Sequence, residues 1–345
     1  MTAIAAAGAA ELDAALTRFV AQNGPGAAAG VVHGDELVWT AGAGFAEVGA
    51  RVTSDPGTLY RIASITKTFT GTAVMQLRDA GRLDLDDPAV KYLPELRGAV
   101  SPFAPIEAVT IRRMLSHESG LANEPPGTDW SVPVYQGDPR LTLARPGAIA
   151  AMLAPNAQHK YSDLAYQLLG EIVTRVSGSP YPRYVRELIL DPLGMSATGF
   201  EPLDGSLRSR RATGYSRRRF SDELDPEPAF PPVWAEGGLW SCVQDLARWV
   251  GFQLRAHTGP RTRRSWRRPR CGRCTSPATW LTMTGRAHGA FPGPRIARTV
   301  SAGSGTRAGF PVSLPASASI PGSRSAPSSC ITDPALPRSL PASWR

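Results

Sequence analysis

Apolar positions along the first 257 residues recur with periods that predict alternating helices and strands. Residues 11–22 read as a helix. Residues 30–45 alternate, with Val31, Val32, Leu37, Val38 and Trp39 at apolar positions and Gly34-Asp35 as a turn, which predicts two antiparallel strands. Ile65, Phe69, Ala73 and Leu77 form one stripe of a helix from about 64 to 80, and Gly81 stops it. A further helix follows Thr110, with Ile111, Met114 and Leu115 inward. The strongest pattern spans 163–176, with Leu164, Leu168, Leu169 and Ile172 on one side and Gly178 behind it. Residues 184–190 are helical and end before Pro192. Ser241 and Gln244 match a capping box ahead of a helix carrying Leu246, Trp249 and Val250.

The pattern stops near residue 257. Arg, Pro, Ser and Gly make up 48 of the last 88 residues, and no apolar period is sustained there. The charge divides at the same place. The whole chain carries +9, yet residues 1–257 sum to −4 and residues 258–345 to +13, from 14 Arg against the single Asp333. Overall charge therefore says little about partners. Such a segment buries too little apolar surface to offset its ordering entropy, so residues 258–345 are expected to be disordered or translated out of frame. Residues 1–257 are expected to form the folded domain, with an α/β part at about 10–75 and a mostly helical part at about 76–240. With 42% hydrophobic and 19% charged residues, the composition is that of a globular protein. No apolar run approaches the roughly 20 residues that span a bilayer. The first 16 residues lack a basic start and meet Glu11 and Asp13 early, so no secretory signal is read and a cytoplasmic protein is expected. No internal repeat is found.

Two motifs can carry chemistry. Ser64-Ile65-Thr66-Lys67 is an S-x-x-K at a helix start. Residues three apart share a helix face, so an amine lies beside a hydroxyl and can take or stabilise its proton. The helix N-terminus favours developing negative charge. The chain has only three lysines, Lys67, Lys91 and Lys160, which makes the match less casual. A surface helix with a solvated lysine fits the same four residues. Tyr161-Ser162-Asp163 opens the strongest helix. It reads equally as an N-cap, with Ser162 or Asp163 capping, or as a phenol presented to a cleft.

These motifs stand in register with Leu115-Ser116-His117-Glu118-Ser119-Gly120-Leu121, Asp191-Pro192-Leu193-Gly194-Met195, Ala212-Thr213-Gly214-Tyr215 and Gly237-Gly238-Leu239-Trp240-Ser241. In this order the chain resembles the serine β-lactamase-related family over about residues 10–257. That family includes class C β-lactamases, DD-carboxypeptidases, D-aminopeptidases and β-lactamase-fold esterases. The resemblance implies an α+β fold of the β-lactamase/DD-transpeptidase type, an antiparallel sheet flanked by helices with a helical region inserted and the site between them. It implies Ser64 as the nucleophile of an acyl-enzyme, Lys67 assisting its deprotonation and Tyr161 as the general base. The Ser64 N–H would be half of an oxyanion hole. It implies no metal or organic cofactor, and an ester, peptide or lactam as substrate.

Two departures accompany the resemblance. The family's Y-x-N is here Tyr161-Ser162-Asp163; an ionised Asp163 can only accept a hydrogen bond where asparagine donates to a substrate carbonyl, which tilts the expectation toward esters. The third motif, K/H-x-G on a sheet strand, finds no match. His288-Gly289-Ala290 lacks the spacing and Ser301-Ala302-Gly303 lacks the basic residue, so the C-terminal strands are apparently missing. A non-catalytic β-lactam- or peptide-binding module, or an inactive remnant, is the alternative. Other classes fare worse. The basic run 261–273 suggests nucleic acid but sits in no recognition fold. Cys271-Gly272-Arg273-Cys274 has no second pair for zinc, and no serine has glycine at both −2 and +2 for a hydrolase elbow. His117 is read as structural, His33 as a strand surface residue, and Cys242 as packing.

Overall fold

A computed structural model describes residues 6–127, 138–201, 203–217, 224–226, 234–258 and 298–303. The hairpin is where the alternation places it. β1 (Gly26–His33) and β2 (Glu36–Glu47) pair antiparallel from Gly26↔Gly44 to His33↔Glu36, with an irregularity after Val31. β3 (Val52–Thr53) lies beyond β2. β1 is buried at seven of its eight positions, because helices cover both faces. Ala27 and Ala29 pack with Leu16 and Val20 of α1 (Ala6–Asn23). Ala28, on the opposite face, joins the cluster of Val243 from α8 (Val243–Thr258). A run of glycine and alanine keeps both helices close to the strand.

The sheet has a fourth strand. β8 (Arg298–Gly303) pairs antiparallel with β1, from Ala27↔Gly303 to Val32↔Arg298, giving the order β3-β2-β1-β8. Those residues lie in the segment whose composition predicted no strand. The physical reason is that ladder bonds are made by backbone groups, and an otherwise open edge of β1 accepts any short extended segment that supplies them. The rest of the predicted tail, including the basic run 261–273, Cys271, Cys274, His288 and Cys330, lies outside the described residues.

A second short ladder joins β4 (Tyr60–Arg61) to β7 (Trp240–Ser241), and a third joins β5 (Tyr215–Arg217) to β6 (Leu224–Pro226). The helical part is built on α2 (Thr66–Asp79). Ten of its fourteen residues are buried, including Lys67. With it in one core stand α3 (Ile111–Leu115), α4 (Pro139–Leu143), α5 (Asp163–Ser177) and α6 (Tyr181–Val185), whereas Leu207 of α7 (Gly205–Arg208) packs with Leu59 and Cys242. Phe69 of α2 stacks on Trp249 of α8 with ring centroids 3.9 Å apart, and Val74 and Leu77 share one core with Leu164, Leu168 and Ile172 of α5. The predicted helix over 184–190 resolves into α6 and one wide turn, Arg186–Leu190.

The caps of α5 follow the sequence. Ser162 Oγ accepts the Ala165 N–H at 2.9 Å, and Gly178 ends the helix with φ +74°, a conformation that costs glycine nothing. The capping box of α8 does not form. Ser241 lies in β7, and its hydroxyl is paired with Thr198 Oγ1 at 2.8 Å. Asp245 accepts from the Ala197 N–H and the Thr198 hydroxyl, both at 2.9 Å. Long-range partners have taken the side chain that local spacing assigned to the cap. No helix among the described residues is long and apolar enough to cross a membrane.

Candidate active site

Ser64 lies in a single 3-10 turn, Ala63–Ile65, that leads into α2. Ala63 adopts φ +44°, outside the usual range for a residue with a Cβ. The segment 235–239 holds this junction from both sides. The Ile62 N–H donates to the Leu239 carbonyl at 2.9 Å, and the Leu239 N–H donates to Thr66 Oγ1 at 3.2 Å. The same segment passes tightly over α5, where a Cβ on Gly170 would come within 2.4 Å of the Ala235 methyl. A side chain at 170 would push the segment off the site.

Four side chains converge there. Ser64 Oγ is 2.6 Å from Tyr161 Oη and accepts from Lys67 Nζ at 3.1 Å. Lys67 Nζ also donates to the Glu236 carbonyl at 2.6 Å and forms an ion pair with the Asp163 carboxylate. It lies over the Tyr161 ring, 4.9 Å from the centroid. The Lys67 side chain is wholly buried, whereas Asp163 is 16% exposed. An ammonium has three donors and meets three acceptors here: a carbonyl, a carboxylate and the serine oxygen. With Ser64 Oγ accepting from Lys67, the serine proton is directed at Tyr161. Burial pushes the Tyr161 phenol above its ordinary value, the Lys67 ammonium pulls it down, and the Asp163 carboxylate adds to the rise.

Tyr161 is gripped by a residue whose part in the site was not foreseen. His117 takes the Lys160 N–H on its carbonyl at 2.7 Å and the Ser162 N–H on its Nδ1 at 3.1 Å. Its ring stacks on that of Tyr161, with centroids 4.6 Å apart. His117 is 1% exposed and has φ +59°. Burial first, then the Lys67 ammonium and His159, push its imidazole from 6.5 down to about 3. The neutral ring is what accepts the Ser162 N–H.

A stability prediction arises from this shift. The unfolded chain binds a proton at His117 below about 6.5, and the folded chain does so only near 3. The contribution is therefore complete above the unfolded value and is lost as pH falls through that window, at about 1.4 kcal/mol per pH unit. Asn tolerates the left-handed backbone and offers an acceptor to Ser162. Urea unfolding of the wild type is expected to lose more stability between pH 7 and pH 4 than that of His117→Asn. Equal losses would refute the assignment.

All four residues singled out in the sequence, Ser64, Lys67, Tyr161 and Asp163, meet in this cluster. Asp163, expected to face substrate, has its carboxylate on Lys67. The Glu236 carbonyl and the Ala63 backbone left no side-chain signal in the sequence. His117 stood inside a quoted motif, but nothing local tied it to Tyr161. β8 carries Ser301 two residues before Gly303, where a K/H-x-G motif needs a base. Among the described residues no group of three His, Cys, Asp or Glu side chains is arranged for a metal.

A family model described as Beta-lactamase matches residues 12–313. The chain belongs to the beta-lactamase family. The match reaches past residue 257, further than the motifs alone extended. Among curated proteins, "Protein flp" of Staphylococcus aureus (strain N315) is 30% identical over 234 residues, 67% of this chain and 45% of that protein. "Uncharacterized protein MT1414" of Mycobacterium tuberculosis (strain CDC 1551 / Oshkosh) is 34% identical over 235 residues, 61% of this chain and 57% of that protein. The chain thus spans about half the length of these curated relatives. Among solved structures, the octameric penicillin-binding protein homologue from Pyrococcus abyssi aligns with TM-score 0.61 and 31% identity, covering 70% of this chain and 55% of that one. The beta-lactamase fold expected from the motifs is thereby shown.

Proposed function

We propose that the protein is a serine hydrolase that works through an acyl-enzyme on an ester, amide or lactam carbonyl. The observation that carries this reading is the direct contact of Ser64 with both Tyr161, at 2.6 Å, and Lys67, at 3.1 Å. In this reading the Ser64 proton passes to the Tyr161 oxygen as Oγ bonds to the carbonyl carbon. The carbonyl π pair moves to oxygen, where the Ser64 N–H at the helix start stabilises it. Collapse expels the leaving group, which takes the proton from Tyr161, and water then repeats the sequence on the acyl-serine. Lys67 keeps its charge beside the phenolate that starts each half-reaction.

The test is intact mass spectrometry of the full-length protein mixed with p-nitrophenyl acetate, and separately with a penicillin. Transient gain of one acyl group on Ser64, with continuous p-nitrophenol release, is expected. No adduct with either reagent would overturn the reading. A stoichiometric penicillin adduct that never turns over would assign the binding-module alternative instead; the feature that favours it is Ser301, rather than a Lys or His, two residues ahead of Gly303 in β8.

A further inference from the structure

Asp163 is the departure of this chain from its family's Y-x-N motif, and its carboxylate touches the buried Lys67. We propose that Asp163 sets the protonation of the site: it holds Lys67 as an ammonium, leaves Tyr161 as the one group that can surrender a proton and become the base, and so sets the pH above which Ser64 is activated. The proposal deepens the acyl-transfer reading and rests on it.

Lys67 Nζ has the Glu236 carbonyl, the Asp163 carboxylate and Ser64 Oγ around it. The first two can only accept. A neutral amine could give its two N–H to those two groups and take the serine O–H on its lone pair, but it would strip the carboxylate of its counter-charge beside a fully buried side chain. An asparagine at 163 imposes no such demand, since it carries no charge and its NH2 can itself donate. With Lys67 held as a cation, the serine proton has one place to go, the Tyr161 oxygen. That oxygen accepts it only after losing its own proton.

Among the described residues, these groups face the pair from the neighbouring elements. From α2 and its leading turn come Lys67 and Ser64. From α5 and its start come Tyr161, Asp163 and the ring of Tyr166, 5.7 Å from Lys67 Nζ. The segment 235–239 presents the Glu236 carbonyl to Lys67, while burial first, and the Glu236 carboxylate in addition, push the Tyr181 phenol up. His117, stacked on Tyr161 with His159 at its edge, is held neutral by burial. Asp163 is thus the anion that forms an ion pair with Lys67 beside Tyr161. Its removal takes from Tyr161 a charge that opposes the phenolate, so release of the phenol proton comes at lower pH.

Two measurements on the full-length chain test this. The first is the pH dependence of kcat/KM for p-nitrophenyl acetate. The wild type is expected to gain activity toward alkaline pH, and Asp163→Asn to shift that limb to lower pH by about one unit or more. Asp163→Glu, which keeps the charge, is expected to stay near the wild-type limb. The second needs no turnover: phenolate absorbance is titrated in each background with and without Tyr161→Phe, so that the difference isolates Tyr161. Its midpoint is expected to fall in Asp163→Asn, and Asp163→Ser serves as a second neutral variant if the first does not fold. An unshifted or raised midpoint in a folded neutral variant overturns the proposal even if the enzyme turns over. A lowered midpoint in a chain that forms no acyl adduct with p-nitrophenyl acetate or a penicillin keeps the protonation assignment and overturns the acyl-transfer reading instead.

Discussion

Ser64→Ala is expected to lower ester turnover on the order of 10⁴- to 10⁶-fold, toward the rate in buffer, and to abolish the acyl adduct. The size follows from the role. Without Oγ no covalent intermediate forms, and Lys67 and Tyr161 have no proton to move. The fold should hardly notice. Ser64 is half-buried, and its loss costs two hydrogen bonds at the cleft, each about 1 kcal/mol. The loss of activity must therefore come with a nearly unchanged thermal melt. Alanine at 64 with retained, Ser64-independent hydrolysis would end the assignment.

Lys67→Met should damage both stability and activity. Methionine nearly fills the volume of the lysine stem, so packing against Tyr161 and Tyr166 is largely kept. The charge is not. The Asp163 carboxylate and the Glu236 carbonyl lose their shared partner in a place where Lys67 is fully buried. Breaking a buried pair on one side costs about 3–5 kcal/mol, somewhat less here because Asp163 is 16% exposed. That corresponds to a fall in Tm on the order of 10 °C for a domain of this size. The double variant Lys67→Met/Asp163→Asn removes both charges and should recover most of the lost stability while remaining inactive. A double-mutant cycle of Tm and turnover separates the two effects. A single variant that melts like the wild type would mean that the pair is not charged in the folded protein.

Much of this protein was legible from local spacing. The β1–β2 hairpin, the stripe of α2, and α5 with its Ser162 cap and Gly178 stop all depend on residues within a few positions of one another. Periodicity and capping report such short-range physics directly. Ser64 and Lys67 could be paired for the same reason, since three residues on a helix fix a distance. Tyr161 and Asp163 could be placed at a helix start, and their family motif supplied the rest.

What escaped depends on contacts between distant segments. Ala63 takes φ +44° because segment 235–239 clamps the turn before α2, and no propensity marks an alanine for that. Glu236 serves through its carbonyl, which every residue possesses. Ser241 gave up its cap because Thr198, 43 positions away, offered a better partner. β8 joined the sheet through backbone bonds in a stretch whose composition advertised none. Read along the sequence, Asp163 is one more acid at a helix start. Folded against Lys67, 96 positions earlier in the chain, it becomes the counter-charge of the site, because only packing brings a buried ammonium within reach of that carboxylate.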